Sequence, residues 1–333
     1  RVLFRDATSL ESMPPFSRSA MDGYALRAAD VFSTKPSCPV TLEVAGEVLM
    51  GQASTVNIRK DQAALIHTGG MIPSGADAVV MVENTRVIPR DRIEVLKPPV
   101  IGENILKAGE DFTAGEKVLS AGCRVSPADL GVLLEVGITQ IEVARRPRVA
   151  IFSSGAELVG PNDDVCLGKI RDINSHILAC RVERAGGIAL RKGILPDDLD
   201  ALTVNCKDAL KEVDMLVLSG GSSVSVRDLT ANVFERLGSP GILVHGLAIK
   251  PGKPTILAVA DGKPCVGLPG NPASALLLFD FVGVPAILQL QGAEAEPFQG
   301  TVRARLAARV TSVVGREDYI PIRWINRLIE QGG

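Results

Sequence analysis

The sequence of 333 residues predicts an α/β fold with a mainly parallel sheet in its second half and β-rich segments on either side. From Arg148 onward, apolar strands alternate with helical segments, which is typical of a parallel sheet covered by helices. In the same region three apolar runs end in small or Gly-rich turns before a helix, at 149–157, 215–223 and 266–274. In an open parallel sheet such turns lie at one edge, where backbone N–H groups suit an anionic ligand.

The part before Arg148 is β-rich. Short apolar stretches separated by Gly, Pro, Asn or Asp predict strands at 40–44, 63–67, 78–83, 92–96 and 117–119. Ser126 as N-cap, with Pro127 in the first turn, predicts a helix that runs to Val136 and ends at Gly137. We place a domain boundary at 145–147.

The second half follows a strand, loop and helix rhythm. Strands are predicted at 149–152, 188–195, 215–218 and 242–247, with a hairpin over 255–266. Helices are predicted at 173–185, 199–211, 228–237 and 273–288. Residues 291–297 resemble a linker, and 301–322 return to β character.

Composition narrows the class of protein. A hydrophobic content of 46% and a charged content of 22% are ordinary for a globular protein. The net charge of −2 and the low aromatic content of 4% argue against a nucleic-acid-binding protein. Scattered cysteines without a Cys-x-x-Cys pair indicate a reducing, cytoplasmic location. We count no apolar stretch of the roughly 18 residues that a membrane span needs, and therefore expect no membrane.

Lys250 and Lys253 are the first candidates for a binding site. Pro251 and Pro254 stiffen the loop, so the two ammonium groups are presented at a low entropy cost, as a phosphate or oxyanion clamp requires. A solvated surface turn is the alternative. The Gly-rich turns nearby in the sequence favour the clamp.

Three acids, Glu157, Asp172 and Asp228, follow strands of the α/β region. Acidic side chains beside a phosphate cradle commonly hold a divalent cation, which prefers hard oxygen ligands. Each acid is equally compatible with a helix N-cap, and Asp228 especially so. The turn 267–274 combines backbone donors with the hydroxyl of Ser274 at a helix start, or is simply a tight strand-to-helix turn.

Two N-terminal segments are ambiguous by themselves. Residues 14–25 form an extended segment in which Asp22 precedes a glycine, and Thr68 precedes two glycines. Composition alone would assign both to ordinary loops.

Seven stretches together resemble the molybdopterin molybdenumtransferase family, which includes MoeA and the gephyrin E domain. They occur in the family's order and span nearly the whole chain, as PPFSRSAMDGYAL, HTGGMIPSGADAVVMVE, GENILKAGEDFTAG, RRPRVAIFSSGAELV, GGSSVSVRD, KPGKPT and GLPGNPASA.

The resemblance implies a four-domain chain that forms an elongated homodimer. Residues 1–36 with 100–145 would form a discontinuous linker and dimerisation domain, and 37–99 an inserted β-rich domain. Residues 146–291 would form a MoaB/MogA-like α/β sandwich that binds molybdopterin, and 292–333 a C-terminal β domain, here partial. The partner subunit would complete the active site with the segments that carry Asp22 and Thr68, and a MogA-like adenylyltransferase is a further expected partner.

The resemblance also implies an activity. The family inserts molybdenum from molybdate into adenylylated molybdopterin, with Mg²⁺, and releases AMP. By motif position, the catalytic residues would be Asp22, Glu157, Asp228, Lys250 and Lys253. The metal ligands would be Glu157, Asp172 and Asp228. The residues that bind the pterin or the oxyanion would be Thr68, Asp172, Asn174, Gly220, Gly221, Ser223, Pro269, Gly270, Asn271 and Ser274.

The sequence departs from the family pattern at the turns. Ser222 and Ser225 replace a Val and a Gly of the second turn, Ala156 replaces an Asp of the first, and Ile173 replaces a hydroxyl residue. These changes support an alternative hypothesis, a non-catalytic homologue that binds pterin or oxyanion as a scaffold or carrier. A third hypothesis is a nucleotide-hydrolysing relative with a MoaB-like domain, as in the competence-damage family. The segment Ser19 to Tyr24 argues against it.

Overall fold

The computed structural model describes residues 1–35, 37–220, 224–294 and 302–322, with the side chains of 224–228 not included. The chain divides into two compact units. Residues 5–121 and 125–142 form the β-rich unit, and residues 1–4 and 122–124 join the chain from 143 onward in the α/β unit.

The β-rich unit is built on a six-stranded sheet. Its strands, in spatial order, are Ala78–Met81, Gly23–Leu26, Gln62–Ile66, Val40–Val48, Arg92–Val95 and Thr85–Ile88. All neighbours pair antiparallel except Val40–Val48 with Gln62–Ile66, which run parallel. The sheet therefore contains every strand predicted between 40 and 96. It also takes in Gly23–Leu26, from the sequence before the predicted domain boundary at 37; that boundary stays a prediction.

Shorter elements complete this unit. Ala7–Thr8 pairs with Lys117–Leu119, and Arg18–Ser19 pairs with Ile105–Leu106. The α-helices are Ala28–Val31 and Pro127–Glu135, and a 3₁₀ turn covers Val82–Asn84. The second helix begins as the sequence predicts, because the Ser126 hydroxyl accepts the Asp129 N–H while the Asp129 carboxylate accepts the Ser126 N–H.

The α/β unit contains a second six-stranded sheet. Its strands, in spatial order, are Ile188–Leu195, Arg148–Ser154, Met215–Gly220, Lys263–Leu268, Ile256–Ala260 and Pro240–His245. The first four run parallel, and only Ile256–Ala260 opposes its neighbours. The mainly parallel sheet predicted from the sequence is confirmed.

Helices cover both faces of this sheet. They are Asn174–Arg184, Leu199–Leu210, Val224–Leu237 and Pro272–Leu278, the last continuing through a π-helical turn, Phe279–Gly283, into Val284–Leu290. Alternate strand residues point to opposite faces. Phe152 and Leu216 pack with Leu202 and Phe234 on one face. On the other face, Ile151 and Val217 pack with Leu178 and Phe279.

Some predicted bounds differ from the structure, and the strand predicted at 40–44, for example, extends to Val48. The helix predicted at 228–237 begins at Val224, so Asp228 lies inside the helix and is not its N-cap. An acid is favourable in the early turns of a helix as well as at the N-cap, so it does not mark the first residue. The strand predicted at 242–247 is Pro240–His245, because its register is set by pairing with Ile256–Ala260.

The composite helix Pro272–Leu290 is long and apolar enough to cross a membrane, with 19 residues and a mean hydropathy of 1.8. The expectation that no apolar stretch reaches this length was therefore wrong. Asp280 lies near the middle of this segment, and a charged residue there interrupts the apolar run in the sequence. Leu278, Phe279 and Ile287 are fully buried, and 33% of the apolar window is buried within the structure.

The described part of the C-terminal segment, 302–322, has little regular structure. Its one strand, Glu317–Asp318, pairs in parallel with Ile249–Lys250. The predicted β character of this segment is thus limited, within the described residues, to this short pair. The pairing places the segment beside the loop that carries Lys250 and Lys253.

Candidate active site

A cavity of about 520 Å³ lies at the carboxyl ends of the parallel strands. All three strand-end turns contribute to its wall. The lining residues are Ser153, Ser154, Glu157, Leu158, Ile170, Arg171, Asp172, Ile173, Asn174, Ser219, Gly220, Gly270, Asn271 and Pro272. The geometry expected for an open parallel sheet, with its turns at one edge, is therefore present.

Local sequence explains how two of the turns form. A Cβ added to Gly220 would lie 2.5 Å from the Ser154 carbonyl oxygen, so only glycine allows the two strand ends to approach. Asn271 is the N-cap of the helix Pro272–Leu278, and its Oδ1 accepts the Ser274 N–H at 3.2 Å and the Ser274 hydroxyl at 3.3 Å. Pro272 occupies the first helical position, where a missing N–H costs nothing.

Asn174 joins the turns to each other. Its Nδ2 donates to the Ser219 hydroxyl at 2.8 Å and to the Gly270 carbonyl at 2.9 Å. The side chain is 7% exposed, so these bonds are shielded from water. One amide thus fixes the helix that follows the first turn against the second and third turns.

Glu157 and Asp172 are the acids of the cavity. Asp172 is buried, and its Oδ1 accepts the Ser175 N–H at 3.2 Å, so it caps the first turn of a helix while it lines the cavity. The hydrogen bond agrees with a capping role for Asp172, and its role as a metal ligand stays a prediction. The Glu157 carboxylate lies over Gly155, where an added Cβ would stand 2.7 Å from it.

Glu157 and Asp172 are two of the three predicted metal ligands. Among the described residues there is no cluster of three or more His, Cys, Asp or Glu side chains that could hold a metal by itself. The side chain of Asp228, the third predicted ligand, lies outside the described residues. Mg²⁺ commonly uses only one or two carboxylates together with water and substrate phosphates. The pair Glu157 and Asp172 fits such a substrate-completed site.

Lys250 and Lys253 line a second cavity of about 520 Å³ in the same unit. Arg316 lines it as well, and sequence analysis did not assign this residue. Arg316 reaches the cavity because the strand that follows it pairs with Ile249–Lys250. The cavity therefore combines three cationic side chains, which suits an oxyanion.

Asp318 balances part of this charge. Its Oδ1 lies 2.8 Å from Arg316 Nε. A hydrogen bond from the Ser312 side chain, followed by Arg316 and the charge of Lys250, lowers the pKa of Asp318. Asp318 is thus ionised at neutral pH and holds Arg316 through Nε, while the Nη groups are the guanidinium's other donors.

The two cavities border the same helix. Gly252, between the two lysines, adopts φ +118°, and a Cβ there would lie 2.5 Å from Leu278 in the helix Pro272–Leu278. Asn271, which caps that helix, lines the strand-end cavity. The helix therefore fixes both the lysine loop and one wall of the acidic cavity.

Asp22 and Thr68 contact each other in the β-rich unit. Asp22 Oδ1 accepts the Thr68 N–H at 2.7 Å and the Thr68 hydroxyl at 3.0 Å. These bonds, together with the nearby His67, lower the pKa of Asp22. His67, 2.9 Å from Glu47 through Nε2, was not singled out by the sequence analysis.

The structure thus sorts the predicted site residues into groups. Six line the strand-end cavity: Glu157, Asp172, Asn174, Gly220, Gly270 and Asn271. Lys250 and Lys253 line the second cavity, and Asp22 and Thr68 form their own pair. Ser274 is buried in the helix start, and Pro269 precedes the lining residues. Gly221 and Ser223 lie outside the described residues.

Comparison with known proteins identifies the family of the chain. Residues 1–137 match the family model of the MoeA N-terminal region (domain I and II), and 150–289 match that of a probable molybdopterin binding domain. A molybdopterin molybdenumtransferase of Nostoc sp. is 35% identical over 96% of this chain and 74% of its own length. One of Bacillus subtilis is 35% identical over 86% of this chain and 67% of its own. The chain belongs to the molybdopterin molybdenumtransferase family.

Solved structures of the family share the fold. A molybdopterin biosynthesis MoeA protein from Pyrococcus horikoshii is 38% identical, with a TM-score of 0.70, over 89% of this chain and 73% of that one. A second structure of a protein of that name and organism gives a TM-score of 0.75 at 32% identity, over 88% of this chain and 72% of that chain. The multidomain α/β fold implied by the resemblance is confirmed.

Proposed function

We propose that this chain is a transferase of molybdenum cofactor biosynthesis that inserts molybdenum from molybdate into adenylylated molybdopterin and releases AMP. Family membership and the names of its relatives support the class of reaction. The observation that carries the proposal is the cavity lined by Lys250, Lys253 and Arg316, beside a helix that also borders the acidic strand-end cavity.

Molybdate is a tetrahedral dianion, similar in size and hydrogen bonding to sulfate or phosphate. Two ammonium groups and a guanidinium can hold its oxygens without covalent chemistry. The two dithiolene thiols of the pterin then form two molybdenum–sulfur bonds in place of one oxo ligand, which leaves as water with their two protons, so the oxidation state of molybdenum does not change. The protein supplies position and charge, so no nucleophilic side chain is required.

The phosphoanhydride of adenylylated molybdopterin would lie in the strand-end cavity. There Glu157 and Asp172 would hold Mg²⁺ together with phosphate oxygens. Bound Mg²⁺ would polarise the phosphorus–oxygen bond that breaks when AMP leaves. Asp172 is held in place for this role by the Ser175 N–H.

The family resemblance further supports a cytoplasmic homodimer in which the partner subunit's segments with Asp22 and Thr68 complete the site. Hydrogen bonds from Thr68 keep Asp22 ionised. An ionised carboxylate at that position would bind a metal ion or accept a hydrogen bond from the leaving group. A MogA-like adenylyltransferase would supply the substrate.

The test is molybdate-dependent AMP release from adenylylated molybdopterin by the purified protein. Changing Lys250 and Lys253 together to Ala is expected to lower turnover at least about a hundredfold, since both cationic contacts to the oxyanion are lost. Lys207→Ala with Lys211→Ala is the matched control, because these lysines lie away from both cavities. Unchanged turnover in the Lys250 and Lys253 variant would overturn the assignment.

Mg²⁺ dependence is tested separately. Removing divalent cations is expected to stop AMP release, and Asp172→Asn to raise the Mg²⁺ concentration needed for half-maximal rate. The alternative of a non-catalytic carrier would be supported by a protein that binds molybdate and pterin but releases no AMP under any cation. Neither the comparisons nor the described contacts favour that alternative.

A further inference from the structure

Only three described residues of the C-terminal segment 302–322 are partly buried: Arg316, Asp318 and Tyr319. The other described residues of this segment are exposed, and its large aliphatic side chains are between 41% and 100% exposed. The contact of the segment with the α/β unit is therefore concentrated at residues 316–319.

The backbone of this stretch is hydrogen-bonded beside the lysine loop. The Glu317 N–H donates to Ala248 O at 2.9 Å, and the Tyr319 N–H donates to Lys250 O at 2.7 Å. They belong to the short parallel pairing of Glu317–Asp318 with the strand that ends at Lys250. An isolated strand pair is marginally stable in water even when it is longer than this one, so side-chain contacts have to hold the segment in place.

The side chains of this stretch alternate between two sides of the backbone. Asp318 Oδ1 accepts from Arg316 Nε at 2.8 Å, and the Tyr319 hydroxyl donates to Glu317 Oε2 at 2.6 Å. Residues two apart lie on the same side of an extended chain, as these two pairs do. Because Arg316 lines the lysine cavity, Tyr319 lies on the opposite side of the segment.

On that side the Tyr319 ring packs against Phe281. The ring centroids are 4.7 Å apart and the ring planes are inclined by 54°, a tilted arrangement that stabilises an aromatic pair. Phe281 lies in the π-helical turn Phe279–Gly283, which continues the helix that carries Leu278. Leu278 in turn contacts the lysine loop at Gly252. The aromatic pair thus attaches the segment to the helix that also fixes the lysine loop.

We propose that Tyr319 is a positioning residue for the oxyanion: its ring, packed on Phe281, holds Arg316 in the cavity beside Lys250 and Lys253. The inference rests on the proposed function, in which the oxyanion binds at these three cations. Tyr319 acts through the Arg316 guanidinium and makes no contact with the oxyanion itself. A guanidinium offers a planar fork of donors that an ammonium group lacks, so its displacement weakens the binding of a tetrahedral oxyanion.

The experiment measures molybdate binding by calorimetry on the full chain. Tyr319→Ala is expected to weaken binding about tenfold, since the ring contact is lost and Arg316 is released. Tyr319→Phe keeps the ring and should stay within about twofold of wild type. Ile320→Ala is the matched control, because this neighbouring side chain is 47% exposed, and it should stay within the same limit. Unchanged affinity in Tyr319→Ala, or an equal loss in Tyr319→Phe, would overturn the inference.

A second measurement separates a positioning role from a general loss of structure. Arg316→Ala should also weaken molybdate binding about tenfold, and Tyr319→Ala should have no further effect in that background, because both act through one contact. In turnover, Tyr319→Ala should raise the KM for molybdate but leave the KM for adenylylated molybdopterin within about twofold of wild type. Additive losses of affinity, or an equal rise in both KM values, would overturn the inference.

Failure of the proposed function would be recognised separately. A wild-type protein that binds molybdate with these dependences but releases no AMP would contradict the proposed function and leave the role of Tyr319 intact. A wild-type protein that binds no molybdate would contradict both.

Discussion

Asn174 Nδ2 donates to the Gly270 carbonyl at 2.9 Å across 96 residues of sequence. The bond joins the helix after the first strand to the turn after the last parallel strand. A second bond, to Ser219, attaches the same amide to the strand between them. This one buried side chain therefore links the ends of the three strands whose turns line the cavity.

Asn174→Asp should destabilise the protein more than Asn174→Ala. Both substitutions remove the two donated bonds, but a carboxylate would also oppose the Gly270 carbonyl in a buried site. We expect the free energy of unfolding of Asn174→Asp to be lower than that of Asn174→Ala by about 2 kcal/mol at pH 7. Urea unfolding of both variants measures this difference, and equal midpoints would show that the amide does not face Gly270.

Gly220→Ala should disrupt the cavity through the backbone. The added Cβ would lie 2.5 Å from the Ser154 carbonyl and 3.0 Å from Ser154 Cβ, so the strand ends must separate. We expect a loss of about 2 kcal/mol in the free energy of unfolding, together with weaker pterin binding. Gly131→Ala is the control, since nothing lies within 4 Å of its added Cβ in a helix. It should be neutral or slightly stabilising; a similar loss in both variants would contradict the close-approach argument.

Much of the fold could be predicted because periodicity and turn chemistry act locally. The Ser126 capping box and the alternating strands from Arg148 onward follow from neighbouring residues alone. Gly23–Leu26 was missed because it is a short strand stabilised by pairing with two distant strands. Such pairing leaves no signal in the local sequence.

The site was only partly predictable for the same reason. Glu157, Asp172 and Asn271 could be found, because they stand at strand-to-helix turns whose edge is set by topology. Arg316 could not, since it reaches the lysine cavity through a parallel pairing between segments about seventy residues apart. Ser153 was visible as a turn residue, but only the structure shows that its hydroxyl is buried without a hydrogen-bond partner among the described residues.

Thr68→Val should raise the pKa of Asp22 without restoring it to the ordinary value. The substitution removes the hydroxyl donor at 3.0 Å but keeps the stronger contribution, the Thr68 N–H at 2.7 Å. An NMR titration of the side-chain carboxyl carbon measures the shift. Thr85→Val, whose hydroxyl donates to Val82 O, should leave the pKa of Asp22 unchanged. A fall in the pKa of Asp22 in the Thr68 variant would contradict the assigned bonds.

Asp214→Asn should reduce stability in a pH-dependent way. Asp214 accepts from both Nη atoms of Arg145, at 2.7 and 2.8 Å, and from the Arg148 N–H at 2.7 Å. The Arg145 hydrogen bonds are the main cause that lowers the pKa of Asp214, followed by the Arg148 N–H. A carboxylate with a depressed folded-state pKa stabilises the protein above its unfolded pKa of about 3.9, and this stabilisation is lost as the pH falls through the folded pKa.

The difference in free energy of unfolding between wild type and Asp214→Asn should therefore be constant from pH 7 to about 5 and shrink below about 4. Its size should be about 1 kcal/mol, because Arg145 is 72% exposed and water screens the pair. Asp208→Asn is the matched control, since the Asp208 pair with Lys211 is exposed on both sides. Thermal unfolding across this pH range measures both variants; a difference that grows as the pH falls would mean that Asp214 is not held ionised by Arg145 at the start of the strand Arg148–Ser154.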